Sequence, residues 1–418
     1  MILEIWRGLF ARARPPYKWY YIVGMVIQKQ GVRQVDYSVI AIVLVICFCG
    51  LFAIKSATHT ATHPMQFVGK QIVGVIIGAA AMLWLAMHEY ETLLKRFARS
   101  LYIINLVLLV IVLKGHSSHG AARWIALGPF ELQPSEFAKL ILIATLSFYL
   151  VDNLDTIRTW PTVLKAFAHV AVPMALIAKQ PDLGTALVIM SIWFGIMTMA
   201  GARLTHLGAL LLAGIALFAI MWHFNPGHLL KDYQKNRLEV FINPDADPRD
   251  TGYHLRQSEI AIGSGGLSGE QHTDAASADS VPGLGTVVKF VTSRYQKGAQ
   301  SNGKFIPEQH TDFIFTVVGE EGGFIGCVIL LALYLLLLER GVVILANCTD
   351  PLGRMLAAGV ISMLTFHIVV NSGMTMGIMP VVGVPLPFFS YGLSSLIVNM
   401  SAIGLLLSVA ARKHRVMF

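Results

Sequence analysis

The chain has 418 residues, 55% of them hydrophobic and only 13% charged, with a mean hydropathy of +0.63. A soluble domain carries about 25% charged residues, so a soluble protein is excluded and an integral membrane protein is predicted. The formal net charge of +8 at pH 7 then argues for membrane topology and contact with anionic lipid, not for nucleic acid.

Residues 1–34 are expected to form a cytoplasmic or interfacial arm. The opening is basic and aromatic, without an apolar core or a small-residue cleavage site, so no cleavable signal peptide is expected. Within it, IWRGLFARARPPYKWYYIV reads as an interfacial segment with Trp and Tyr at headgroup level. Ten apolar segments follow, at 35–54, 66–87, 100–113, 136–151, 163–179, 185–200, 206–224, 313–338, 354–373 and 389–410. Spanning takes roughly 20 helical residues, and irregular backbone facing lipid would leave polar groups unsatisfied, so these are helices. The runs are continuous, not alternating, which excludes a β-barrel. The predicted fold is an all-α polytopic membrane protein, with a ten-helix domain over 35–411 and a basic tail at 412–418.

Basic residues set the orientation. Arg7, Arg12, Arg14, Lys18, Lys29 and Arg33 mark the arm, Lys95, Arg96 and Arg99 the loop after the second span, and Arg412, Lys413 and Arg415 the end. Both termini are therefore predicted to be cytoplasmic. The HTATHP loop, residues 114–135, 180–184, 225–312 and the turn 374–388 fall outside. The 225–312 segment is hydrophilic and too long to be a plain connector, and such loops on a rigid scaffold commonly carry function.

Within the segments and loops, several motifs ask for a chemical reading. The four cysteines, Cys47, Cys49, Cys327 and Cys348, suit small apolar fillers rather than a disulfide framework. His59 with His63, and His116 with His119, lack a third ligand for zinc and read as solvated loop histidines. GSGGLSG at 263–269 has no strand before it, so a tight turn after the amphipathic stretch YHLRQSEIAI is preferred to a nucleotide loop. In GAARWIALGPFELQPSEFAKL, Arg123 and Trp124 suit a membrane interface, and Pro134 with Ser135 suits a helix start. Glu136 and Lys139 then share one helix face, either as a snorkelling lysine paired with its own-helix glutamate or as part of a site. KQPDLGTAL puts Lys179 and Asp182 at an outer helix junction. Lys114, Arg123, Lys139, Lys179 and Arg256 collect on the outer face, where cations can hold phosphates. GIMPVVGVPLPFFSYGLSS carries Pro380, Pro385 and Pro387; broken helix at membrane depth must be lined by protein or a cavity, so this turn is expected to wall a site.

One pentapeptide occurs twice. EQHTD runs from Glu270 to Asp274 before AASAD, and from Glu308 to Asp312 before FIFTVV. The second copy heads a span, where Asp312 serves equally as a helix N-cap or as a reactive group.

Taken together, ARWIALGPFELQPSEFAKL, QPDLGTAL, DYQKNRL, GYHLRQSEIAIGSGG, PEQHTDFIF and MPVVGVPLPFFSYG resemble the SEDS family (shape, elongation, division, sporulation), and DYQKNRL, PDADPRDTGYH and MPVVGVPLP are most similar to its RodA branch. The resemblance implies a ten-helix bundle with cytoplasmic termini. It implies a peptidoglycan glycosyltransferase that polymerises lipid II outside the bacterial cytoplasmic membrane during elongation, with a class B penicillin-binding protein transpeptidase and other elongation-complex membrane proteins as partners. The family's essential aspartate falls on Asp312, the expected general base. Candidates for holding sugar or diphosphate are Lys114, Arg123, Trp124, Glu136, Lys139, Asp182, Arg256, Gln257, Glu308, His310 and Ser390, with Glu308 and His310 expected to orient the site or bind a cation. No cofactor is required by the sequence, though a divalent cation, Mg or Mn, fits the chemistry. The chain departs from the family in a surplus near 271–297, which contains the first EQHTD. Two rival classes are a lipid II flippase and a non-catalytic scaffold; the flippase needs ionisable groups at mid-membrane, where the spans are read to offer little beyond His169 and His367.

Overall fold

The computed structural model describes residues 36–59, 61, 63–114, 123–127, 130–224, 237, 239–241, 243, 247, 251–269 and 309–412. The N-terminal arm, His116, His119, Asp274, the 271–297 segment, Glu308 and the tail from Lys413 lie outside the described residues. Ten helices are long and apolar enough to cross a membrane. They are α1 (Tyr37–Ala57), α2 (Pro64–Met87), α3 (Tyr90–Lys114), α4 (Pro134–Val151), α5 (Trp160–Lys179), α6 (Leu183–Ala200), α7 (Leu204–Phe224), α9 (Ile314–Asn347), α10 (Pro351–Thr375) and α11 (Leu393–Ala410), with a shorter α8 (Thr251–Ser264) between α7 and α9. All ten expected spans are present.

The helix starts follow from local chemistry. Proline occupies the first turn of α2, α4, α5 and α10, where its missing N–H costs nothing. Asp36 caps α1, and Asp350 caps α10 through Leu352 N and Gly353 N while accepting a 2.5 Å bond from the Tyr90 hydroxyl. Two helices run past the expected spans. α3 begins at Tyr90 because its first turns carry Glu91, Lys95, Arg96 and Arg99, which stay wet while the stems lie along the bundle. α9 extends to Asn347, where Arg340 reaches Asp36 at 3.0 Å.

Alternation of direction leaves two unlike ends. Met87, Tyr90, Val151, Trp160, Ala200, Leu204, Asn347, Pro351 and Ala410 close one end, which carries Lys95, Arg96, Arg99, Arg158, Arg203, Arg340, Arg354 and Arg412. By the positive-inside rule this is the cytoplasmic end. The opposite end gathers the C-termini of α1, α3, α5, α7 and α10 and the N-termini of α2, α4, α6, α9 and α11. There an antiparallel hairpin, β1 (Ile125–Leu127) with β2 (Phe130–Leu132), pairs Ile125 with Leu132 and Leu127 with Phe130. No strand is expected from the sequence there, since two three-residue strands, IAL and FEL, give too short a pattern to recognise.

A second difference lies in α9. Gly323 adopts φ 60° and ψ −164° and kinks the helix, a conformation essentially confined to glycine. The freed N–H groups of Phe324 and Ile325 donate to the carbonyls of Gly266 and Leu267 at 2.9 and 3.1 Å. GSGGLSG is thus the expected turn after a helix, and its backbone is received by the break.

Candidate functional site

A cavity of about 220 Å³ opens at the outer end. Its lining includes Arg123, Trp124, Gln133, Glu136, Asp182, Thr185, Thr311, Asp312, His367, Gly383, Val384, Pro385, Tyr391, Gly392, Ser394 and Ser395. The Pro/Gly-rich turn therefore walls the site as expected. Four helix N-termini contribute to that lining, those of α4, α6, α9 and α11. Each brings orphan backbone N–H groups and the positive end of a helix dipole.

Asp312 sits half-buried in the turn that enters α9. It is not the helix cap. The N-cap position falls on Phe313, which makes no side-chain cap bond, because the turn runs one residue further before helical geometry begins. Asn371, fully buried on α10, donates both to the Asp312 carbonyl at 2.8 Å and to the Val384 carbonyl at 2.7 Å. One amide thus ties the aspartate's backbone to the opposite wall. Gly383, at φ 71°, is so close that a Cβ there would lie 3.1 Å from Asp312 Oδ2 and 3.7 Å from Arg237 Nη1. Arg237 is therefore a near neighbour of the carboxylate.

Glu136 and Lys139 form a buried cluster with His367. Lys139, 1% exposed, donates to both Glu136 oxygens at 2.9 and 2.8 Å and to His367 Nε2 at 3.1 Å. His367 Nδ1 is 2.7 Å from the Met363 carbonyl, so Nδ1 carries the proton and Nε2 accepts from the lysine. All three ammonium protons are then used. The own-helix pairing expected for Lys139 is present, but the lysine does not snorkel, because α10 supplies a third partner inside the bundle. Glu136 and His367 face the cavity, with Lys139 behind them.

Arg123 also lines the cavity, and its guanidinium donates to the carbonyls of Gln180 (2.7 Å) and Pro181. Asp182 caps α6 through Thr185 N at 3.1 Å and accepts from Ser135 Oγ at 3.1 Å and Gln133 Nε2 at 3.2 Å. Trp124 stands exposed at the rim.

Other expected residues are elsewhere. Arg256 and Gln257 lie on α8 outside the cavity lining, because that helix packs against α9 and α10. Ser390 is buried, and its hydroxyl accepts from Leu386 N at 2.8 Å, holding the turn rather than facing a ligand. His310 is half-buried against Phe67 and Tyr391. Lys114 ends α3, and Lys179 is exposed at the end of α5.

The sequence reading passed over Arg237, Tyr391, Asn371 and the part His367 plays. DYQKNRL and SYG are distinctive enough to direct attention to the first two. Nothing in the sequence pairs Asn371 with a turn 59 residues away. Glu320 and Glu321, at 0% and 1% exposure, are buried ionisable groups in α9 that the sequence reading also passed over. Glu321 accepts from Ser56 Oγ. Six or seven residues into α9 puts them about 10 Å below its start, in the outer half of the membrane.

Comparison with known proteins places the chain in context. The family model for FtsW, RodA and SpoVE, described as cell cycle protein, matches residues 36–279 and 294–415. The chain is 36% identical over 390 residues to peptidoglycan glycosyltransferase MrdB of Escherichia coli K12, covering 92% of this chain and 95% of that protein. It is 34% identical to peptidoglycan glycosyltransferase RodA of Treponema pallidum, covering 92% and 99%. Among solved structures, a chain of a peptidoglycan synthase complex that coordinates polymerization and crosslinking superposes with a TM-score of 0.71 at 30% identity, covering 91% and 99%. The rod shape determining protein RodA of Thermus thermophilus gives 0.62 at 29%, covering 91% and 98%.

Proposed function

The chain belongs to the FtsW/RodA/SpoVE family of cell cycle proteins, and from that membership we propose that it is a multi-pass peptidoglycan glycosyltransferase. It polymerises lipid II, a disaccharide-peptide on a polyprenyl diphosphate, into glycan strands at the outer face of the bacterial cytoplasmic membrane, for elongation and shape. The observation that carries this reading is the placement of Asp312 in a polar cavity at the non-basic end of the bundle. A polyprenyl-linked substrate keeps its reactive carbon at that depth.

In the proposed reaction Asp312 takes the proton from the acceptor sugar's 4-hydroxyl as that oxygen attacks the donor's anomeric carbon. The diphosphate leaves from the opposite face with inversion. General bases contribute about 10²–10⁴-fold. Charge developing on the diphosphate needs donors aimed at it. Lys139 is committed to Glu136 and His367, so Arg123, Arg237 and the four helix N-termini are the groups that suit this task. Among the described residues no group of three or more His, Cys, Asp or Glu side chains is placed to hold a metal ion, and no step here is routed through one. A class B penicillin-binding protein is the proposed partner, in keeping with the coupled polymerization and crosslinking of the structural relative.

The test incubates purified protein with lipid II, in Mg²⁺ and in EDTA, with and without the partner, and separates the products by size. Asp312→Asn should abolish glycan formation. Asp274→Asn, in the same pentapeptide, should retain most of it. The reverse ranking overturns the site assignment. Translocation of lipid II across vesicles without polymer would instead establish the flippase, and neither activity the scaffold. The buried glutamates of α9 lie above mid-membrane, which favours surface chemistry over transport.

A further inference from the structure

Gln71 lies two turns into α2 and is 2% exposed. An amide at that depth is costly unless both of its ends are bonded. Its Nε2 donates to the Ser390 carbonyl at 3.0 Å, and its Oε1 accepts from Gly392 N at 3.3 Å. These bonds bracket one residue, Tyr391. The Tyr391 N–H donates in turn to the His310 carbonyl at 2.9 Å, two residues before Asp312. Phe67, four residues before Gln71 and so on the same helix face, meets the Tyr391 ring edge-on at 5.3 Å.

An apolar residue at position 71 would leave the Ser390 carbonyl and the Gly392 N–H without this partner. What the amide adds is a fixed backbone register for the 390–392 turn, and the group that this register aims is an aromatic ring lining the cavity with Asp312. The other side chains there are mainly polar, with Asp182, Glu136 and Asp312 as carboxylates. A pyranose has the matching duality, a rim of hydroxyls and flat faces of C–H groups. Carboxylates accept from hydroxyls, while the electron-rich face of an aromatic ring attracts polarised C–H groups. Burial and the charge of Glu131 push the Tyr391 hydroxyl above its ordinary range, so it stays protonated as the ring does this work.

Resting on the glycosyl-transfer reading above, we propose that Tyr391 is the sugar-facing aromatic wall of the site and that Gln71 is the positioning residue that holds it there.

The experiment compares Tyr391→Phe, Tyr391→Leu, Gln71→Leu and the Gln71→Leu/Tyr391→Leu pair in lipid II polymerisation. Lipid II binding is measured separately in an Asp312→Asn background that does not turn over. Tyr391→Phe should stay within about twofold of the parent, because the ring is retained. Tyr391→Leu should raise KM and the dissociation constant about tenfold, as an aromatic contact of roughly 1.4 kcal/mol implies. Gln71→Leu should raise KM in the same direction while still folding, with a lowered melting temperature because the Ser390 carbonyl and Gly392 N–H lose this partner, and the pair should bind no worse than Tyr391→Leu alone. Unchanged binding in Tyr391→Leu overturns the wall. Multiplicative effects on binding in the pair, or a Gln71→Leu protein with unchanged KM, overturn the positioning role. A parent that makes no glycan refutes the parent reading, and the binding measurement then decides the Tyr391 inference by itself.

Discussion

Replacing Lys139 by Met tests how the cavity keeps its second carboxylate. Methionine matches the lysine stem in length and is at home in a helix, so the change removes mainly the ammonium. In the parent, that ammonium is 1% exposed and holds Glu136, itself 3% exposed, at 2.8 and 2.9 Å. Removing one partner of a buried pair typically costs about 3–5 kcal/mol, because the other charge is left without compensation. Glu136 also faces the cavity, where water can reach it, which places the expected loss near the lower end, about 3 kcal/mol. Adding Glu136→Leu removes the stranded charge and leaves only His367 Nε2 without its donor, a cost of about 1–3 kcal/mol. The double variant should therefore be more stable than Lys139→Met alone. Equilibrium unfolding in detergent micelles measures Lys139→Met, Glu136→Leu and the double variant against the parent. Losses that add within about 0.5 kcal/mol, or a Lys139→Met protein as stable as the parent, would refute the cluster as the anchor of Glu136.

Three further outcomes follow from local geometry. Gly383→Ala should depress polymerisation by more than tenfold with a stability loss of only about 1–2 kcal/mol, because its Cβ would sit 3.1 Å from Asp312 Oδ2 at a left-handed φ; equal proportional losses in both assays would argue against this contact. Gly323→Ala should be far more damaging, since its Cβ would meet Gly269 N at 2.4 Å in a glycine-only conformation, and proteolysis within 251–269 should report the undocked α8. For topology, an impermeant thiol reagent should label Arg256→Cys on intact cells and Lys95→Cys only after permeabilisation. Native Cys348 should stay silent at pH 8 in either case: burial, then the charge of Asp350, push its thiol up to about 11, so about one molecule in a thousand is thiolate.

Much of the fold was legible because membrane chemistry leaves few choices. Each span must be helical and about as long as the hydrocarbon is thick, so hydropathy alone counts them. Direction alternates, so parity assigns Glu136, Asp182, Asp312, Tyr391 and Ser394 to one end without any knowledge of packing. Parity does not say which of them touch. Arg256 and Ser390 share that end and do not line the cavity, because α8 is taken up by α9 and the Ser390 hydroxyl by Leu386 N. Lys139 shows the same limit in charge: its place on the helix was legible, whereas its third partner, His367, is 228 residues away. The kink in α9 was also hidden. A glycine inside an apolar run is tolerated in a spanning helix, and nothing in GEEGG distinguishes a bend from a straight passage.

That kink explains how a span can deliver a reactive group sideways. An unbroken helix of 34 residues would be about 51 Å long at 1.5 Å per residue, and its first turn would lie on the axis set by the cytoplasmic half. Breaking the ladder at Gly323 leaves Ile314–Gly322 free to take its own direction, while Asn371 fixes the Asp312 carbonyl and Tyr391 N fixes that of His310. Two backbone donors are exposed by the break, at Phe324 and Ile325, and each would cost several kcal/mol unpaired in lipid. The carbonyls of Gly266 and Leu267 take both. The glycine-rich turn is thus the second half of the break: it supplies the acceptors that the kink leaves wanting, and α8, which carries it, is packed against α9 as a consequence. Asp312 can then be held by α10 through Asn371 and by the 390–392 turn through the neighbouring His310 carbonyl, both distant in sequence from the span it heads.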